Sequence, residues 1–148
     1  MLPSNKQSGF TLIEVIIVLS MISFIISIGG AFQYHVIDQY KTRHFIQIFQ
    51  DDILYMQKRT TVTRDNIYMV IEPEKNLYVI KQGPVGKSIV TREIPKTWDI
   101  NLRTLTMPIS FTTNGTIKNP GTFTIDTTYS SYDVSFPFGK GRCYIIEK

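Results

Sequence analysis

Gly9-Phe10-Thr11-Leu12-Ile13-Glu14 opens an apolar run that continues to Gly30. Eight residues with one charge, Lys6, stand ahead of it. From Phe10 to Gly30, 21 residues hold one ionisable side chain, Glu14. A helix of about 20 apolar residues at ~1.5 Å rise covers the ~30 Å core of a bilayer. A carboxylate in such a run costs roughly 2.5–3.5 kcal/mol on insertion scales, so it marks a function and needs a partner. A cut between Gly9 and Phe10 would create one, a new α-amine.

In its residues and register this stretch resembles the prepilin motif of type IV pilins and type II secretion pseudopilins. The resemblance implies cleavage after Gly9 by a prepilin peptidase and N-methylation of the new terminal Phe10. It implies that Glu14, five residues into the mature chain, pairs with the N-terminus of a neighbouring subunit during assembly. It further implies a pilin-like α+β fold: one long N-terminal helix, membrane-spanning in its first half, packed against a small antiparallel β head. A signal anchor that happens to contain a glutamate is the bland alternative.

At 148 residues there is room for one modest domain plus the anchor helix. Removing residues 1–9 removes one Lys and no acid, leaving 15 basic against 12 acidic groups, a net of +3. That balance decides nothing by itself. The single Cys143 excludes an intrachain disulfide. A cleavable secretory signal is the main rival for the N-terminus, and Ser27-Ile28-Gly29-Gly30-Ala31 imitates a cleavage site, but the apolar run is longer than such a peptide wants. Lys41 and Arg43 follow the run against Lys6 before it, so the charges do not favour a cytoplasmic N-terminus. That orientation, with the head outside the cytoplasm and later at the cell surface, is implied by the resemblance alone.

No proline occurs between Pro3 and Pro73, which permits one helix from Phe10 to about Val62. Four segments follow: a leader over 1–9, an assembly and membrane half over 10–31, an amphipathic half over 32–62, and a β-rich head over 63–148. In the amphipathic half Phe45, Phe49, Ile53 and Met56 recur at steps of four, four and three, a stripe expected to pack on the head. Gly29-Gly30 is the expected hinge, where the helix bends or melts during assembly, because glycine weakens a helix by up to ~1 kcal/mol relative to alanine. Close helix approach through small residues is the alternative there.

Beyond Thr63 the period becomes that of strands. Ile67–Ile71 and Leu77–Ile80 read as a hairpin through Glu72-Pro73-Glu74-Lys75-Asn76, followed by Ser88–Ile94, Trp98–Leu102, Ile109–Thr113, Thr122–Asp126, Tyr132–Phe136 and Arg142–Ile146. Asn76-Leu77-Tyr78-Val79-Ile80, Phe111 to Gly115, Thr122 to Ile125, Tyr132-Asp133-Val134 and Gly139 to Arg142 are similar to the head of GspH-type pseudopilins. Among these the chain is most similar to the ComGD-like minor pseudopilins of competence DNA-uptake machines. The implied function is a minor pseudopilin that primes or joins a competence-type pilus for DNA uptake in transformation. Its implied partners are other major and minor pseudopilins, the prepilin peptidase and the membrane. Two other roles stay open, a minor pseudopilin of a type II protein secretion system and a DNA-binding tip subunit.

The sequence carries no Ser/His/Asp or Cys/His arrangement, phosphate-cradling loop or zinc spacing, so it reads as a non-enzyme without cofactor or metal. Asp51-Asp52 is expected on a solvated helix face, since adjacent helix positions do not face one another. His35 and His44 read as ordinary helix positions. Cys143 reads as a small buried residue of the last strand, with an intermolecular disulfide as the sharper alternative. Direct contact with DNA would fall to Lys140, Arg142 and Lys148, the local concentration of cations in the head. Tyr129, Tyr132 and Tyr144 lie near them in sequence, although strand aromatics usually pack.

Overall fold

The uninterrupted proline-free stretch forms a single helix, α1, over Leu12–Thr63. The computed structural model describes residues 9–139 and 141–148, and side chains within these except for residues 28–35. The leader residues 1–8, Lys140 and the side chain of His35 lie outside that description, as do the surroundings of Gly29 and Gly30. The chain divides into two compact units between Lys41 and Thr42.

In the first unit the helix exposes its apolar residues all round, from Leu12 and Ile13 through Ile16, Leu19, Met21 and Phe24 to Ile26. Two serines within it are satisfied locally. Ser20 Oγ donates to the Ile17 carbonyl and Ser23 Oγ to the Leu19 carbonyl, both at 2.8 Å. Back-bonding of this kind hides a hydroxyl from an apolar surrounding. Among the described residues no helix is long and apolar enough to cross a membrane.

In the second unit the stripe Phe45, Phe49, Ile53 and Met56 faces the head as its spacing requires, and Thr42, Asp52 and Thr60 are buried on the same side. Eight strands follow among the described residues: β1 Ile67–Glu72, β2 Leu77–Gln82, β3 Lys87–Glu93, β4 Asp99–Asn101, β5 Ile109–Ser110, β6 Gly121–Asp126, β7 Ser131–Phe136 and β8 Tyr144–Glu147. They form two antiparallel sheets of four strands, in the orders β3-β2-β1-β5 and β4-β6-β7-β8. The β1–β2 hairpin closes through a 3₁₀ turn, Pro73–Lys75, and Asn76 takes the left-handed conformation at φ 52° that asparagine tolerates.

Both sheets and the helix share one core. The Phe49 ring meets Tyr78 of the first sheet at 5.5 Å and Phe123 of the second at 5.8 Å, both edge-on. Phe45 stands edge-on to Trp98 at 5.1 Å. One helical face is thus the keystone between sheets that would each be too small to close a core. The last strand starts later than its sequence suggests: β8 begins at Tyr144, and Arg142 and Cys143 precede it. Cys143 is partly buried and free, and that burial pushes its thiol above the ordinary range.

Candidate functional site at the start of the long helix

Gly9 and Phe10 lie outside α1 in irregular backbone, and both are exposed. Nothing stands within 4 Å of where a Gly9 Cβ would sit, and Phe10 is 85% exposed. Both residues of the Gly9–Phe10 bond are therefore exposed and ahead of the helix.

The next four residues form a reciprocal cap. The Thr11 N–H and hydroxyl both lie 3.4 Å from Glu14 Oε2, and the Glu14 N–H lies 3.4 Å from Thr11 Oγ1. The Thr11 carbonyl also accepts the N–H groups of Glu14 and Val15 at 3.1 and 3.3 Å. This is the capping box, in which a threonine and a glutamate three residues later satisfy the orphan donors of a first helical turn. The Glu14 carboxylate also sits at the positive end of the helix dipole. The lone acid of the apolar run is thus held by its own helix start. The role of Thr11 was legible in the pattern Thr-x-x-Glu, yet reading Glu14 for its charge alone passes over it.

Of the three cations expected for DNA contact, Lys140 lies outside the described residues. Arg142 and Lys148 flank β8 and lie six residues apart, roughly 20 Å along an extended chain. Lys148 Nζ is already 2.9 Å from Asp133 Oδ2, while Arg142 is exposed. Tyr132 is buried and its hydroxyl donates to Glu147 at 3.0 Å, whereas Tyr129 and Tyr144 are exposed. Among the described residues no group of three or more His, Cys, Asp or Glu is placed to hold a metal ion.

One expectation about the helix is corrected. Asp51 is exposed, but Asp52 is buried at 7% exposure and accepts from the Tyr78 hydroxyl at 2.9 Å and from Arg92 Nε at 3.1 Å. Its position one step from Ile53 carries it into the helix–sheet interface, where two donors from β2 and β3 offset the cost of burying a charge.

Comparison with known proteins adds one finding. Residues 4–30 match the family model of the prokaryotic N-terminal methylation motif, the signal of type IV pilins and pseudopilins. The match covers the leader and the apolar helix and does not extend to the head. No curated protein and no solved structure matches the chain. The methylation motif supports a type IV pilin-like or pseudopilin subunit, processed by a prepilin peptidase and assembled with other pilins.

Proposed function

We propose that the chain is a minor pseudopilin of a competence-type pilus. It is made as a membrane-anchored precursor with the leader 1–9, crosses the membrane once through residues 10–31, and holds its head outside the cytoplasm. A prepilin peptidase cuts after Gly9 and Phe10 is methylated. Glu14 then leaves its cap on Thr11 for the amine of a neighbouring subunit. In a low-dielectric helical bundle an unpaired charge is strongly penalised, so this pairing selects the register of assembly. Residues 32–62 and the head over 63–148 dock against other pseudopilins at the cell surface to prime or extend a filament for DNA uptake.

The observation that carries this reading is the methylation-motif match together with an exposed, non-helical Gly9–Phe10 bond at the mouth of an apolar helix. The N-terminal mass of the protein from cells with and without prepilin peptidase tests it. A chain starting at N-methylated Phe10 only when the peptidase is present is the expected result. An intact Met1, or a cut near Ala31, overturns it. The GspH-type likeness of the head landmarks supports a second reading, a minor pseudopilin of type II protein secretion. Deleting the chain's gene separates the two, since loss of transformation with normal protein export is expected for the first only. A DNA-contacting tip role rests on the exposed Arg142, and binding of the full chain to DNA that strengthens as salt is lowered is its test.

A further inference from the structure

The second sheet has four strands, each antiparallel to its neighbour, so its edge strands β4 and β8 run in opposite directions. A second head in the same orientation therefore offers β4 antiparallel to the β8 of the first. Successive residues of an antiparallel strand turn their N–H and C=O groups to opposite sides. The Lys148 N–H donates to the Ser131 carbonyl at 2.9 Å, so Ile146 and Tyr144 also turn toward β7. Ile145 and Glu147 are left facing the free edge. The Thr127 N–H donates to the Ser130 carbonyl at 2.8 Å, which makes Ile125 and Tyr132 a hydrogen-bonded pair. Carried through β6, the alternation turns Asp99 and Asn101 inward and leaves Ile100 facing the opposite edge, which no described strand occupies and where the turn Pro73–Lys75 forms the far wall of a cleft.

We propose that copies of this chain join through these edges, β8 of one head against β4 of the next, so that the sheet continues from subunit to subunit. Pairing Ile145 with Ile100 puts both inward-facing isoleucines side by side and sets Tyr144 opposite Asn101 and Ile146 opposite Asp99. Tyr144 and Ile146, 46% and 64% exposed in the single head, gain cover. Lys148 then stands diagonal to the exposed Asp99, within reach of a long side chain. The cleft beside β4 is acidic, lined by Glu72, Glu74 and Asp99 with Lys75 tied to Glu72; at β8 the exposed Arg142 stands just ahead of the strand, while Lys148 is paired with Asp133 and Glu147 accepts from Ser130 and Tyr132. The outer edge of the first sheet is built differently. In β3 a bulge leaves Ile89 without a partner on β2, and Lys87, Arg92 and Glu93 charge the strand, devices that keep edges apart. No bulge interrupts β8. A contact between unlike edges is heterologous, so it adds copy after copy, into a ring where the rotation between copies divides a full turn and into an open filament where it does not.

This inference rests on the reading of the chain as an assembling subunit. Its test is disulfide trapping of the full-length chain in its own membrane, on a Cys143→Ser background. Asp99→Cys with Ile146→Cys places two thiols at a non-hydrogen-bonded pair, whose ~4.5 Å Cα separation admits a disulfide. Oxidation is expected to give a ladder of cross-linked species from the double variant and monomer from either single variant. Asn101→Cys with Tyr144→Cys reads the same register and replaces the first pair if that variant fails to fold. Absence of a ladder from both folded pairs, or a dimer from Ile146→Cys alone, overturns the proposal. N-terminal masses from the same samples separate the two readings. Processed chain without a ladder overturns the strand pairing only; unprocessed chain without a ladder overturns the pairing and the subunit reading together. A ladder from either form supports the pairing.

Discussion

Tyr78 on β2 donates its hydroxyl to the carboxylate of Asp52 on α1 at 2.9 Å, and Arg92 on β3 reaches the same carboxylate at 3.1 Å. A polar tie between α1 and the first sheet thus sits beside the apolar stripe of Phe45, Phe49, Ile53 and Met56. Asp52→Asn weakens both bonds and leaves buried donors poorly matched, so a loss of about 1–3 kcal/mol is expected. The half-exposed Arg92 contributes the smaller part, because water screens it. Asp51→Asn, on the exposed side, is expected to change stability by less than about 0.5 kcal/mol. Thermal unfolding of the two variants side by side checks the contrast; equal effects would remove the tie.

The same pair sets an alkaline limit. Burial first, and the bond to Asp52 second, raise the Tyr78 hydroxyl well above its ordinary value of 10.0. The folded state then keeps a proton that the unfolded chain releases. Stability from this group is full below pH 10 and falls as pH rises beyond it, because the unfolded state binds fewer protons there. Tyr78→Phe is expected to lower stability by about 1 kcal/mol at neutral pH and to flatten the decline above pH 10. An unchanged alkaline slope in that variant would contradict the assignment.

Gly141 is fixed by contact, not by its backbone angle. A Cβ there would collide with Gln57 Nε2 and with the Gly115 carbonyl oxygen, and Gln57 donates to that same oxygen at 2.6 Å. Helix, β5–β6 turn and the approach to β8 converge at this point. Gly141→Ala is expected to cost about 1–3 kcal/mol, as overpacked sites do. Gln57→Ala should not rescue it, since the clash with backbone remains. Melting temperatures of the single and double variants decide this.

The hinge proposal for Gly29-Gly30 concerns assembly, since both residues lie within α1. Replacing both with alanine stiffens the helix by up to ~1 kcal/mol per residue. Normal cleavage after Gly9 with reduced filament yield is expected. Undiminished filaments, counted after shearing from the cell surface, would leave the glycines as a site of close helix packing.

Much of this architecture is written locally. The absence of proline between Pro3 and Pro73 and the four-four-three spacing of Phe45, Phe49, Ile53 and Met56 define α1 and the face it buries. Period-two runs punctuated by Pro, Gly and Asn locate all eight strands to within a few residues. The cap of Thr11 on Glu14 is equally local, because it joins residues three apart.

What tertiary structure alone decided is how those strands divide and which polar residues they enclose. A small antiparallel sheet was expected, but the strands separate into two sheets of four, with Phe49 touching both. Asp52 looks like its neighbour Asp51 in sequence and becomes buried only because Tyr78 and Arg92, 26 and 40 residues away, converge on it. Lys148 likewise finds Asp133 only once β8 lies beside β7. Periodicity reports which way a side chain points along its own element. The donor that compensates a buried charge comes from another element, and only the folded chain brings it there.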